Sequence, residues 1–204
     1  MPQSVESQIL TKIKKAKRGS LFFADNFLTI ANSRTAAKAL ERLTKSGELK
    51  RVATGIYTRP LKDPVIGFVT PQAETVANTI AKRDKARIVP TGAFALNKLG
   101  LSTQVPLNMV YLTDGAARKI KIGGRTITFK KTAPKNLAAI GQISSLVIQA
   151  LRTIGKDKVT QQEVEKILQL LKEEKVTHLQ HDIGTAPEWI RKIFLIALRE
   201  KSNE

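Results

Sequence analysis

One cluster of side chains in the sequence has the composition of a metal site. His178, His181 and Asp182 lie together in the stretch HLQHD. Histidines three positions apart share one face of a helix, where both rings can bind one metal ion. No further ligand stands at a recognisable spacing, and the chain contains no Cys that could supply a thiolate. We therefore expect a surface or capping role for this cluster, and we predict no metal, no cofactor and no catalytic residue.

The glycine-containing stretch TGAFALNKLGLS, residues 91–102, is the part of the chain closest to a nucleotide-binding loop. It lacks the Gly-Lys-Ser/Thr ending of a phosphate-binding loop and the Gly-x-Gly-x-x-Gly spacing of a dinucleotide site. The sequence also has no Gly-x-Ser-x-Gly elbow and no pair of close carboxylates on a predicted strand. These absences disfavour an RNA-directed or nucleotide-using enzyme, and we predict that the protein is not an enzyme.

The charge of the chain indicates a polyanionic partner. The sequence has 35 Lys and Arg against 17 Asp and Glu, a formal net charge of +18 in 204 residues. Nucleic acid is the first candidate for that partner, and an anionic membrane surface is the second. We expect no membrane partner and a cytoplasmic protein, because no apolar run approaches about 18 residues and no signal-peptide pattern is present.

The positive charge is concentrated in the first two-thirds of the chain. Residues 1–69 carry a net charge of +8, residues 70–135 carry +9, and residues 136–204 carry only +1. Aromatic residues make up 5% of the chain and are not interleaved with cations, as they are in proteins that stack unpaired bases. This composition favours double-stranded DNA over single-stranded nucleic acid.

The segment RTAAKALERLTKSG, residues 34–47, predicts an amphipathic helix with a cationic face. Ser33 is a good N-cap residue, and Gly47 suits the position that follows the last turn. The helical period places Ala36, Ala37, Leu40 and Leu43 on one side and Arg34, Lys38, Arg42 and Lys45 on the other. Such a helix can lie in the major groove, where Arg binds the guanine edge. For one helix alone, a solvated basic face is the alternative interpretation.

The next segment, GELKRVATGIYTRP, predicts a hairpin that turns at Thr54 and Gly55. A helix near residues 4–16 and a shorter one near residues 24–31 precede the cationic helix. The order helix, helix, turn, helix, hairpin is typical of a winged helix-turn-helix. Lys50 and Arg51 point to opposite faces of one strand. We predict that the face with Arg51 meets the phosphates and that the hairpin tip lies closest to the minor groove.

The remaining pattern predicts an α+β chain of two domains. An N-terminal winged helix-turn-helix spans residues 1–62, and a linker lies at about residues 61–70. A mixed α/β C-terminal domain, residues 70–204, ends in a helical bundle whose last two helices have capping-box spacings at Thr160/Glu163 and Thr185/Glu188. A second basic hairpin, residues 118–131, could extend the DNA footprint, meet an acidic protein or be merely solvated.

Three quoted segments carry a resemblance to a known family. They are FFADNFLTIANSRTAAKALERLTKSGELKRVATGIYTRP, ETVANTIAKR and IVPTGAFALNKLGLSTQVP. Together they resemble the AbiEi-type antitoxins of bacterial type IV toxin-antitoxin systems. The match runs from about residue 5 to about residue 135 and rests on ALERL, GELKRVATGIY and PTGAFALNKLGLSTQVP in that order. The helices after residue 140 carry no motif of the family.

The resemblance implies a repressor that binds inverted repeats in double-stranded DNA upstream of its own operon. It also implies an antitoxin, in a phage-defence context, that counteracts a nucleotidyltransferase-type toxin without requiring a stable complex. By position, the expected DNA-binding residues are Ser33, Arg34, Thr35, Lys38 and Arg42 in the recognition helix and Lys50, Arg51 and Arg59 in the wing. Residues 89–106 receive no catalytic role. A plain winged-helix regulator without a toxin is the alternative.

Overall fold

The structure, a computed structural model, describes residues 3–202 and shows a mixed α+β fold. The described residues hold eight α-helices and nine short strands in three sheets. The chain divides into two units. The first ends at Thr79 and includes Lys121–Gly124, and the second holds Ile80–Ile120 and continues from Arg125.

The first unit has two α-helices followed by a hairpin, with a short strand and a 3₁₀ turn between the helices. Its elements are α1 (Val5–Lys15), β1 (Leu21–Phe22), a 3₁₀ helix (Ala24–Phe27), α2 (Ser33–Lys45), β2 (Lys50–Ala53), β3 (Ile56–Thr58), β4 (Lys62–Asp63) and β5 (Gly67–Phe68). Strands β1, β3 and β2 form an antiparallel sheet in that order, and β4 pairs with β5.

The core of this unit forms because the apolar faces of α1 and α2 are buried against the sheet. Its members come from α1, β1, the 3₁₀ turn, α2 and β3, with one residue just before β2, and are Ile9, Ile13, Phe22, Phe27, Ala36, Ala39, Leu40, Leu43, Leu49 and Tyr57. Their spacing in both helices is the three-to-four residue period of one helical face. Large buried side chains of this kind each contribute about 1.5–3 kcal/mol through burial.

One local prediction for this unit is corrected, and a second segment has more structure than the sequence indicates. The second helix, expected near residues 24–31, is a 3₁₀ turn of four residues, Ala24–Phe27, whose start is capped by the Asn26 side chain accepting from the Phe23 N–H. The segment expected as a linker, residues 61–70, contains the β4–β5 hairpin, whose turn is held by Asp63 Oδ1 accepting from the N–H groups of Val65 and Ile66. The division between the units falls within the next helix, Ala73–Arg83, so the predicted domain boundary stays a prediction.

The second unit combines a four-stranded sheet with helices. Its elements, beginning with the helix that contains the division, are α3 (Ala73–Arg83), β6 (Ile88–Thr91), α4 (Ala93–Lys98), β7 (Asn108–Thr113), β8 (Arg118–Ile122), β9 (Arg125–Lys131), a 3₁₀ helix (Pro134–Leu137), α5 (Gln142–Ile154), a 3₁₀ helix (Lys156–Lys158), α6 (Gln161–Lys172), α7 (Val176–Ile183) and α8 (Glu188–Ser202). The strand order is β6-β7-β9-β8, with β7 antiparallel to β6 and parallel to β9.

The sequence predicted the β8–β9 hairpin with its Gly123–Gly124 turn, and the structure confirms it. The capping box of Thr160 and Glu163 at the start of α6 is also confirmed. The second predicted box is wrong: α8 begins only at Glu188, and the Thr185 hydroxyl donates to the carbonyl of Asp182 instead. The helical core of this unit lies among α4, α5, α6, α7 and α8, and Trp189 packs against it.

Candidate nucleic-acid interface

Helix α2 begins one residue away from the predicted cap. The cap is Asn32, whose Oδ1 accepts from the Thr35 N–H at 2.9 Å, and Ser33 is the first helical residue. The prediction of Ser33 as N-cap is therefore wrong, because Asn and Ser are about equally good caps and the sequence contains them side by side. As a consequence, Ser33 and Thr35 both lie exposed in the first turn.

The exposed side of α2 carries the predicted cations. Arg34, Lys38, Arg42 and Lys45 are exposed, while Ala36, Ala39, Leu40 and Leu43 are buried. Ala39 is buried in the core, whereas Ala37, which the helical period predicts on the apolar side, is half-buried. All five predicted residues of this helix, Ser33, Arg34, Thr35, Lys38 and Arg42, therefore lie in contact with solvent, and we call them the α2 face.

Arg42 has a carboxylate neighbour on α1. Its Nη1 lies 3.7 Å from Glu6 Oε2, and the Arg42 side chain is 70% exposed. A pair this open to water contributes about 0–1 kcal/mol. The guanidinium can therefore leave Glu6 for another acceptor at little cost.

The hairpin that follows α2 separates its two neighbouring cations. Its turn uses Gly55 at φ 71°, and Arg51 lies opposite Tyr57 while Lys50 lies opposite Thr58. Burial raises the pKa of Tyr57, the Glu41 carboxylate on α2 raises it further, and Arg51 opposes both. Residues paired across two strands share a sheet face, so Arg51 lies on the face of Tyr57, which belongs to the core formed with α2, and Lys50 lies on the opposite face with Thr58. That the Arg51 face meets phosphates stays a prediction.

Arg59 has hydrogen-bond partners within the fold. Its Nη1 donates to the carbonyl of Lys14 at 2.8 Å and also to the carbonyl of Ala16. These carbonyls lie at the end of α1, where a helix leaves its last acceptors unpaired and favours a positive charge. Arg59 thus closes α1, and its predicted contact with DNA would use the N–H groups that remain.

The structure therefore divides the eight predicted residues. The α2 face and Arg51 lie on the helix side of the unit. Lys50 and Arg59 instead line a pocket together with Lys14, Arg18 and Lys62. Sequence reasoning missed this second group, because its members are brought together by packing between segments more than 40 residues apart.

The cluster of His178, His181 and Asp182 takes part in capping. Asp182, fully buried, accepts from the N–H groups of Ile140 and Gly141, each at 2.8 Å. His181 Nδ1 lies 2.8 Å from Asp182 Oδ1, and His178 Nδ1 lies 3.0 Å from Glu174 Oε1. Among residues 3–202, no group of three His, Asp or Glu side chains could hold a metal ion.

Glu174 completes this cap at the first turn of α5. Its Oε2 accepts from the N–H groups of Ile143 and Ser144 at 2.8 and 3.3 Å. Gly141 allows the close approach, since a Cβ there would lie 2.6 Å from Glu174 Oε2. We call Glu174 and Asp182 the carboxylate cap of α5. No local pattern in the sequence indicates the part that Glu174 plays in it.

The carboxylate cap predicts acid sensitivity of the second unit. Burial raises the pKa of Glu174, but hydrogen bonds from His178 and from the N–H groups of Ile143, Lys175 and Ser144 outweigh it, so the pKa is lowered. A lowered folded-state pKa gives stability that is present above the unfolded value of about 4.3 and is lost as the pH falls through the folded value. The free energy of unfolding, measured between pH 7 and pH 3, should show this loss. Glu174→Gln should remove part of the dependence of this free energy on pH. An equal slope in both proteins would contradict it.

Comparison with known proteins identifies a family for the chain. Residues 8–179 match a family described as a family of unknown function, DUF6088. The chain belongs to this family. A search of curated proteins finds no match for this DUF6088 member.

One solved structure to which this chain is similar is the crystal structure of the RV2827C protein from Mycobacterium tuberculosis. It is 12% identical, and the match covers 98% of this chain and 83% of that chain, with a TM-score of 0.44. Among the described residues, no helix has the length and apolar character needed to cross a membrane.

Proposed function

We propose that the first unit is a winged helix-turn-helix that binds double-stranded DNA. The order α1, β1, 3₁₀ turn, α2 and hairpin, with the antiparallel strand order β1-β3-β2, supports this assignment. In this proposal α2 is the recognition helix and the β2–β3 hairpin is the wing. The 3₁₀ turn occupies the place of the second helix.

The observation that carries the proposal is the exposed α2 face. Three cations, Arg34, Lys38 and Arg42, lie exposed on a helix whose opposite side is buried in the core. Arg can bind guanine O6 and N7 in the major groove, and Ser and Thr hydroxyls can bind phosphates or bases. Arg51 and the N-terminal lysines contact phosphates in this arrangement, so base reading falls to α2.

We further propose that the protein represses its own operon and acts as an antitoxin against a nucleotidyltransferase-type toxin. Support for this part is the resemblance of its motifs to AbiEi-type antitoxins. The proposed partners are inverted repeats upstream of the operon and, in the cytoplasm, a toxin that need not form a stable complex. A nucleotidyltransferase-like reading frame directly downstream of the gene would favour the antitoxin, and its absence would favour a plain regulator.

The experiment that tests DNA binding is a footprint of the purified protein on DNA upstream of its own gene. We expect protection of two inverted repeats at protein concentrations that leave random duplexes unprotected. Substituting the three α2 cations together, R34Q/K38Q/R42Q, should remove the footprint. The matched control K156Q/K158Q/K192Q makes the same charge change at exposed lysines of the second unit and should preserve it. Equal loss in both variants would contradict recognition by α2.

A further inference from the structure

A pocket of about 550 Å³ lies in the first unit beside the end of α1, the start of β2 and the β4–β5 hairpin. Its cations are Lys14, Arg18, Lys50, Arg59 and Lys62, and Glu48 is the one carboxylate among its lining residues in the described chain. Small-molecule sites have volumes of about 300–1,000 Å³. The pocket therefore has the size of a ligand site and a clear excess of positive charge.

The two arginines of this pocket are held in place by the fold. Arg18 Nη1 donates to the carbonyl of Pro60 at 3.2 Å, and Arg59 Nη1 donates to the carbonyl of Lys14 at 2.8 Å. A guanidinium has five N–H donors, so each arginine keeps donors for a ligand. Both groups are thus oriented before any ligand arrives, which lowers the entropy cost of binding.

The lysines of the pocket are only partly neutralised. Lys14 Nζ lies 3.6 Å from Glu48 Oε1 in an exposed pair. Neither Lys50 nor Lys62 has a carboxylate within 4.0 Å among residues 3–202. Cations that converge in a concave site repel one another and focus a positive potential into it. A bound anion would relieve that repulsion.

The rest of the lining limits the kind of anion. Ile13 and Pro60 are buried, and Phe68 from β5 is half-buried, so one part of the wall is apolar. Arg forks and Lys ammonium groups are the usual ligands of phosphate. A duplex is too wide for a recess of this volume, and Lys50 faces away from Arg51 and α2.

We propose that this pocket binds a small molecule that bears a diphosphate group and a flat ring. The cations of α1, β2 and β4 hold the two phosphate groups, and Phe68 offers its face to the ring. The site is separate from the α2 face but shares Lys50 and Arg59 with the predicted wing contacts, and the inference does not depend on DNA binding.

The test is the dissociation constant for inorganic pyrophosphate, measured by calorimetry on the full chain. The variant K50Q/K62Q should bind pyrophosphate at least about tenfold more weakly, because two charge-assisted contacts are lost. The control K156Q/K158Q makes the same charge change on two exposed lysines of the second unit and should stay within about twofold of the wild type. Unchanged binding by K50Q/K62Q, or equal weakening by the control, would overturn the site.

Two further measurements separate the site from a folding defect and test the ring. Without ligand, K50Q/K62Q should unfold at the same or a higher temperature, since it removes like-charge repulsion, and K50R/K62R should restore pyrophosphate binding. ADP should bind more tightly than pyrophosphate, and Phe68→Ala should remove only that difference. Equal affinities of the wild type for the two probes would overturn the role of Phe68.

Discussion

Asp182→Asn is expected to lower the free energy of unfolding of the second unit by about 2–4 kcal/mol. The fully buried carboxylate accepts from the N–H groups of Ile140 and Gly141 and contacts His181. An amide has one oxygen, so its NH₂ would face a backbone N–H that has lost its acceptor. Urea unfolding followed by the fluorescence of Trp189, the one tryptophan of the chain, measures this unit directly.

The matched control for this substitution is Asp157→Asn. Asp157 is exposed in the 3₁₀ turn after α5, so the same chemical change should alter stability by no more than about 0.5 kcal/mol. A loss of under about 1 kcal/mol for Asp182→Asn would show that water or another group replaces the carboxylate. That result would remove the carboxylate cap from the description of this unit.

Arg42→Ala is expected to cost about 1–3 kcal/mol of binding free energy on the operator and to relax its sequence preference. The reason is that Arg42 lies on the exposed side of α2, where its pair with Glu6 is weak and open to water. Arg51→Ala should instead weaken binding to operator and random duplexes alike and reduce the salt slope by about 1. Titrations of both variants on both DNAs measure the difference.

Lys192→Ala is the control for these titrations, because Lys192 is an exposed cation of α8 in the second unit. It should leave affinity and salt slope close to those of the wild type. If Arg42→Ala and Arg51→Ala lost equal affinity on both DNAs, the two residues would have the same role. Base reading by α2 and phosphate contact by the wing would then be indistinguishable.

Elements of the first unit could be predicted because their signals are local. The apolar period of α2, a capping residue before it and Gly55 at the turn all act within a few residues. The cap itself was displaced by one position, since Asn32 and Ser33 can both serve. Strand β1 was missed because two residues, Leu21 and Phe22, carry no alternating pattern of their own.

Features that depend on distant contacts could not be predicted. Arg59 reaches the end of α1 across 45 positions, and nothing around it in the sequence indicates that partner. Asp182 accepts from the N–H group of Gly141 across 41 positions, so the residues around HLQHD do not reveal which N–H groups this carboxylate caps. The parallel pairing of β7 with β9 likewise follows from the sheet as a whole. The pocket with five cations could not be predicted either, because its lining residues are distant from one another in the sequence.

The most direct measurement for the central proposal is the footprint on DNA upstream of the gene, repeated across salt concentrations. If the wing and the N-terminal lysines neutralise about six phosphates, log K should fall with log salt at a slope near −5. Protection should stay confined to the inverted repeats while the affinity falls. A slope near zero, or protection without any preferred position, would contradict DNA recognition by the first unit.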